Sequence, residues 1–187
     1  MSSPDLTEAE ITAVNQVLST RYLSIGPNIQ AFEESLASRV EASYGIGVNS
    51  GTSGLHLCVI AADVKDNDLV ITSPFSFIAS ANSILSERGI PLFVDVDRQT
   101  GNIDPQLVVE ATHDLAKGGQ AAQKWLPPKL RNSGNPYKTK AILPVHAFGQ
   151  PADMDPIFEV AETYGLQIIE DACEAIGSHY KGKPAGT

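Results

Sequence analysis

Four short segments carry residue types able to do chemistry. Asn49-Ser50-Gly51-Thr52-Ser53-Gly54 mixes glycines with hydroxyls. Glycine lets a backbone approach a ligand closely, and hydroxyls with N–H groups at a helix N-terminus make an anion site. The segment reads as a phosphate cradle or as a plain helix N-cap; it is neither a Walker A loop nor GxGxxG. Ser73-Pro74-Phe75-Ser76-Phe77 follows the apolar run Leu69-Val70-Ile71-Thr72. An aromatic at a strand's carboxyl end stacks on a flat ring, or else Phe75 and Phe77 belong to the core. Pro144-Val145-His146-Ala147-Phe148-Gly149-Gln150-Pro151 offers His146, either catalytic or fixed by hydrogen bonds in a loop. Glu170-Asp171-Ala172-Cys173-Glu174 ends the run Ile168-Ile169 with carboxylates. Such a group pairs with a protonated ring nitrogen, holds a metal, acts as a base, or, for Asp171, caps a helix. No histidine or further carboxylate is spaced to complete a metal site. His56 lies on an apolar helix and reads as structural, while His113 and His179 carry no clear signal.

The elements that position these segments alternate along the chain. Thr7 and Glu10 have capping-box spacing, and Leu6 with Ile11 that of a hydrophobic staple. Leu6, Ile11, Val14, Val17 and Leu18 then give one apolar helical face. A second helix is predicted over 29–44, with Gly45 suited to its C-terminal cap. Extended segments are predicted at 47–50, 69–72, 90–96, 141–145 and 166–170. Helices are predicted at 53–62, 77–86, 105–116 and 154–164, with Asp104 as N-cap and Pro105 at N1 of the third. Strands that are continuous apolar runs separated by helices imply a sheet covered on both faces. Right-handed crossovers make it a doubly wound, mostly parallel, three-layer α/β fold. In such sheets ligands sit outside the carboxyl ends of the strands, where all of these segments fall except the first, which opens a helix. The stretch 117–140 is polar, basic and broken by Pro and Gly; it reads as a surface insertion. Its Trp125 either anchors a partner or packs the loop onto its own domain.

Bulk properties narrow the function. The 187 residues are 42% hydrophobic and 19% charged, which suits one globular domain or part of a larger one. A net charge of -9 argues against nucleic acid or an anionic membrane as main partner. Backbone N–H groups still bind phosphate without any Lys or Arg. Cys58 and Cys173 belong to no metal-spaced cluster and read as reduced thiols. No basic and apolar leader follows Met1-Ser2-Ser3, and no run reaches the roughly 18 apolar residues of a membrane span. The expectation is a cytoplasmic protein.

Phosphate-type loop, aromatic strand end, histidine strand end and aspartate strand end together suit a flat, phosphorylated, nitrogen-containing ring. At these residues the chain resembles the DegT/DnrJ/EryC1/StrS sugar aminotransferases, a family of fold-type I pyridoxal-phosphate enzymes. The likeness runs through Leu23-Ser-Ile-Gly-Pro27, Asn49-Ser-Gly-Thr-Ser-Gly-Leu-His-Leu57, Ser73-Pro-Phe-Ser-Phe-Ile-Ala-Ser-Ala-Asn82, Phe93-Val-Asp-Val96, Pro144 to Met154 and Glu170 to Gly177. The resemblance implies part of the family's large domain, with N-terminal helices over 6–44 and an α/β core over 45–187. It implies pyridoxal 5'-phosphate as cofactor. Gly51, Thr52 and Ser53 would bind the phosphate, Phe77 would stack on the pyridine ring, and Asp171 would pair with the ring nitrogen. Glu174 would stand near the ring hydroxyl.

The implied reaction moves an amino group from an amino acid, glutamate by expectation, to a nucleotide-linked keto-sugar, within cell-surface polysaccharide biosynthesis. The implied assembly is a homodimer. No catalytic residue is assigned in this chain: the resemblance puts the Schiff-base lysine and the C-terminal small domain beyond Thr187, and Lys181 and Lys183 match residues ahead of that lysine. On this expectation the chain alone is inactive. Three other readings remain at this point: a sugar dehydratase on the same fold with histidine for lysine, a non-catalytic sensor or regulatory relative, and a nucleotide-binding module without pyridoxal phosphate.

Overall fold

A computed structural model describes residues 4–131, 133 and 137–187. The start Met1-Ser2-Ser3 and residues 132 and 134–136 of the stretch 117–140 lie outside the described residues. The chain divides into two compact units, one ending at Gly47 and one beginning at Val48.

The first unit carries α1 (Glu8–Leu18) and α2 (Pro27–Arg39). Thr7 caps α1 in a complete capping box: its side chain accepts from Ala9 N–H, while the Glu10 carboxylate takes Thr7 N–H at 2.6 Å. Leu6 and Ile11 are both exposed, and α1 buries none of its residues. Helix α2 starts two residues before the expected boundary, because Pro27 supplies a helical φ at N1 behind Gly26. It also ends early, capped by Val40 with Glu41 at φ 56°. Gly45 is therefore not its cap. A Cβ there would stand 2.5 Å from the Glu33 carbonyl oxygen, so Gly45 serves close backbone approach.

The second unit is built on a four-stranded parallel sheet of order β2-β1-β3-β4. The strands are β1 (Asp68–Thr72), β2 (Ile90–Phe93), β3 (Lys138–Leu143) and β4 (Gln167–Ile168). Successive side chains on a strand point to opposite faces, and β1 shows the consequence. Leu69 and Ile71 enter a core with Leu92, Ile142 and residues of α5 (Pro105–Lys117) and α7 (Met154–Tyr164). Val70 enters a second core with Ala141, Leu143 and residues of α3 (Gly51–Ala61) and α4 (Ala79–Ser86). Helices thus cover both faces, which is why Leu69, Val70 and Ile71 of β1 are all buried. This is the fold-type I layout expected from the sequence.

Local signals place several helix ends. Asp104 accepts from the N–H groups of Gln106 and Leu107 with Pro105 at N1 of α5. Helix α7 fills the expected span and stops at Gly165, in the left-handed conformation. Strand bounds differ from the predicted ones: β1 and β3 begin earlier, while β2 and β4 are shorter. No strand forms at 47–50, β2 ends at Phe93, and β4 pairs only at Gln167 and Ile168. Strand length depends on a neighbour's reach, which an apolar run does not encode. Helix α4 begins at Ala79 rather than 77, leaving Phe77 in the loop before it.

Within 117–140, helix α6 (Gly119–Gln123) follows α5, Leu126 is buried, and the last residues join β3. Trp125 packs against the core and donates its indole N–H to Asp114 at 2.9 Å. A small antiparallel hairpin, β5 (His179–Tyr180) with β6 (Lys183–Pro184), closes the unit.

The connectivity fixes where a ligand fits. The chain passes from β1 to β2 on one side and returns to β3 on the other, so the order reverses between β1 and β3. Thr72 Oγ1 donates to Leu143 O at 2.8 Å across that seam. The crevice outside the carboxyl ends at such a reversal is where doubly wound folds bind ligands.

Ile142 is fully buried at the centre of the sheet. Replacing it by alanine is expected to lower unfolding free energy by about 2–5 kcal/mol, read as a reduced urea midpoint. A loss under about 1 kcal/mol would contradict this packing.

Candidate functional site

Ser50 is extended and caps α3, its Oγ accepting Ser53 N–H at 3.2 Å. The Ser50 carbonyl takes Gly54 N–H at 3.1 Å. The N–H groups of Gly51 and Thr52 have no partner within the helix itself, and both residues line a cavity of about 590 Å³. Ser50 therefore caps the helix, and the cap does not occupy the N–H groups of Gly51 and Thr52. Ser53 commits its N–H to the cap and shares its hydroxyl with Ser50 at 3.1 Å. It is not among the residues lining the cavity. A Cβ at Gly51 would lie 3.0 Å from Cys173 Sγ, so glycine lets the helix start press against the segment after β4.

The β1 end supplies the aromatic wall. Phe75 is 48% and Phe77 75% exposed, and both line the cavity. The core reading of these two side chains fails. The loop before α4 carries them outward while Ser80, on the first turn of α4, is buried.

Asp171, at the β4 end, is 6% exposed and lines the cavity floor with Val145 and Ala147. One oxygen accepts Ser80 Oγ–H at 2.9 Å, and Ser80 Oγ lies 2.7 Å from Ser76 Oγ. The other accepts Cys173 N–H at 3.3 Å. No helix begins at Asp171; turns follow it, so the helix-cap reading is set aside. Its backbone bridges Val145 across the end of the sheet.

The β3 end brings in two further residues. His146 is 0% exposed, contacts Glu170 at 2.8 Å, and is absent from the cavity lining. It is therefore the residue fixed by hydrogen bonds rather than a catalytic histidine. Phe148 lines the cavity at φ 54°, ψ 28°. This left-handed geometry is unusual for a bulky residue. It is held by Glu174, whose carboxylate accepts Phe148 N–H at 2.7 Å, and by an edge-to-face contact with Phe75 at 5.8 Å.

Of the residues expected from sequence, Gly51, Thr52, Phe77, Asp171 and Glu174 border one cavity, and Ser53 does not line it. Ser80, Ser76 and Phe148 were not singled out. Ser80 and Ser76 are small residues inside a quoted motif, and Phe148 carries no signal of its left-handed backbone. Among the described residues no His/Cys/Asp/Glu group is arranged to hold a metal. No helix among them is long and apolar enough to cross a membrane.

The residues present fit pyridoxal phosphate. The cavity offers unpaired helix N–H groups at one rim, a fixed carboxylate in its floor, and flat apolar walls between. No Lys or Arg lines it, so the helix terminus is the lining's anion-binding feature.

The fold is the fold-type I transferase fold. The profile of the DegT/DnrJ/EryC1/StrS aminotransferase family matches residues 4–187, and the chain belongs to that family. It is 37% identical to the spore coat polysaccharide biosynthesis protein SpsC of Bacillus subtilis over 100% of its own length and 42% of the relative's. It is 34% identical to the putative pyridoxal phosphate-dependent aminotransferase EpsN of Bacillus subtilis, over 100% of this chain and 44% of that protein. The crystal structure of DesV from S. venezuelae superposes with a TM-score of 0.79 at 32% identity, covering 96% of this chain and 42% of that one. The chain thus spans about two fifths of the length of the proteins it matches.

The cavity sets the reactivity of Cys173. Burial, then the Asp171 carboxylate, push its thiol up to about 11. The thiol is therefore neutral near pH 8 and forms thiolate only as pH climbs toward that value. Alkylation at pH 8 should run on the order of a hundredfold slower than for an unperturbed cysteine. The rate should still be rising beyond about pH 9.5, whereas a plateau by about pH 9 would contradict the assignment.

Proposed function

We propose that this chain forms the cofactor-binding part of a pyridoxal-phosphate sugar aminotransferase. The observation that carries the reading is the single cavity holding both the Asp171 carboxylate and the open N-terminus of α3. In this reading Gly51 and Thr52 receive the cofactor phosphate on their backbone N–H groups, where the helix dipole favours negative charge. Ser53 backs them through its hydroxyl. Phe77 lies over the ring face. Asp171, oriented by Ser80 and Cys173 N–H, accepts the hydrogen of the ring nitrogen. Glu174 stands on the side of the ring hydroxyl, with one oxygen already engaged by Phe148 N–H.

When bound, the cofactor supplies an electron sink for breaking a C–H bond at the amino-bearing carbon. The chain's own contribution is to bind, orient and keep water off that ring. Covalent attachment needs a lysine amine. Lys181 is paired with Asp155, and neither Lys181 nor Lys183 lines the cavity.

We further propose an amino-acid donor, glutamate, and a keto-sugar acceptor carried on a nucleotide, handled by a homodimer in the cytoplasm. The polysaccharide setting named for SpsC supports a role in making cell-surface sugars.

The test uses the full-length protein. It should take up pyridoxal phosphate with a visible absorption band, and glutamate should shift that band. Asp171→Ala should weaken cofactor affinity by about ten- to a hundredfold, the scale of a lost charged hydrogen bond. Absence of any band in a folded protein would overturn the proposal, as would an Asp171→Ala variant with unchanged affinity and turnover.

A further inference from the structure

His146 is buried and lies outside the cavity, so the proposed chemistry does not use it. Its surroundings fix its protonation by geometry. Ala152 N–H donates to Nδ1 at 3.1 Å. A backbone amide only donates, so Nδ1 must carry the lone pair. The ring is then neutral, with its proton on Nε2, and Nε2–H donates to Glu170 Oε2 at 2.8 Å. The same oxygen accepts Gly186 N–H at 2.9 Å.

Gly186 is a demanding position. Its φ is +86°, and a Cβ there would stand 2.8 Å from the Ala172 Cβ. Ala185 is buried beside it, with its N–H on Ser178 O at 2.9 Å. The chain around Gly186 is thus pressed directly against the residue that follows Asp171. His146 also reaches Asp171 through the main chain: its N–H donates to Asp171 O at 3.0 Å, while Asp171 N–H donates to Pro144 O at 2.9 Å.

We infer that His146 is a positioning residue, which orients the Glu170 carboxylate so that it clamps the Gly186 segment behind the Asp171 strand end. The ring accepts at Nδ1 and donates through Nε2. Glu170, one residue before Asp171, spends its carboxylate on the clamp and leaves Asp171 to face the cavity. The clamp stands on geometry alone; its effect on cofactor binding rests on the proposed function.

Hydrogen exchange of the segment 183–187, followed by mass spectrometry in the full-length protein, reads the clamp directly. Glu170→Ala and His146→Ala should each speed that exchange by at least about tenfold, with α3 unaffected. His146→Gln keeps a donor for Glu170 and should restore most of the protection, which a purely space-filling histidine would not require. Nitrogen-15 spectra of labelled histidine should show the hydrogen on Nε2 and the lone pair on Nδ1. If His146→Ala does not fold, Glu170→Ala reads the same contact from its partner. Unchanged exchange in Glu170→Ala overturns the inference, and so does a His146 ring whose Nδ1 carries a hydrogen. Pyridoxal phosphate affinity should fall about tenfold in Glu170→Ala. A wild-type protein that binds no pyridoxal phosphate overturns the proposed function while the exchange readout still decides the clamp.

Discussion

A buried carboxylate needs hydrogen bonds, and the Asp171 carboxylate meets that need with groups from separate parts of the chain. Ser80 Oγ–H reaches it from α4 and Cys173 N–H from the following turn. Leaving such a group unsatisfied in an apolar wall costs several kcal/mol, so these partners must arrive together. They do so because β3 and β4 pair side by side and α4, packed on β1 and β2, extends Ser80 from its first turn to Asp171. The parallel sheet is the device that brings them there: its two apolar faces bury α3 and α4 on one side and α5 and α7 on the other. The reversal of strand order between β1 and β3 opens a crevice, and Asp171 forms its floor.

Around that floor the site is assembled from backbone as much as side chain. Helix α3 presents open N–H groups because Ser50 satisfies only part of the first turn. Phe148 holds a left-handed backbone because Glu174 engages its N–H. Strain of this kind persists only where neighbours over-determine it, and here the neighbours are a cavity carboxylate and Phe75. An acidic chain can then bind an anion without a local lysine or arginine, since the attraction comes from peptide dipoles.

Much of this was legible in the sequence, for reasons that differ by element. Thr7 with Glu10, and Asp104 with Pro105, are local signals acting within one helical turn, and the helices start where they say. The strands were legible as apolar runs but not in length, because β4 pairs with β3 over only Gln167 and Ile168. The segment 47–50 forms no strand. Gly45 was misread as a cap because glycine serves caps and close contacts alike. At the site, the family resemblance implied Gly51, Thr52, Phe77, Asp171 and Glu174, and these five line one cavity. Ser80 stayed hidden because its partner is 91 positions away. The roles of His146 and Glu170 depend on Ala152 and Gly186, which no spacing rule connects.

The most direct test of the central claim is a crystal structure of the full-length protein grown with pyridoxal phosphate. The account predicts the phosphate on the N–H groups of Gly51 and Thr52, the ring beneath Phe77, and the ring nitrogen within hydrogen-bond distance of an Asp171 carboxylate oxygen. A phosphate bound away from the start of α3, or a ring nitrogen facing any group other than Asp171, would contradict it.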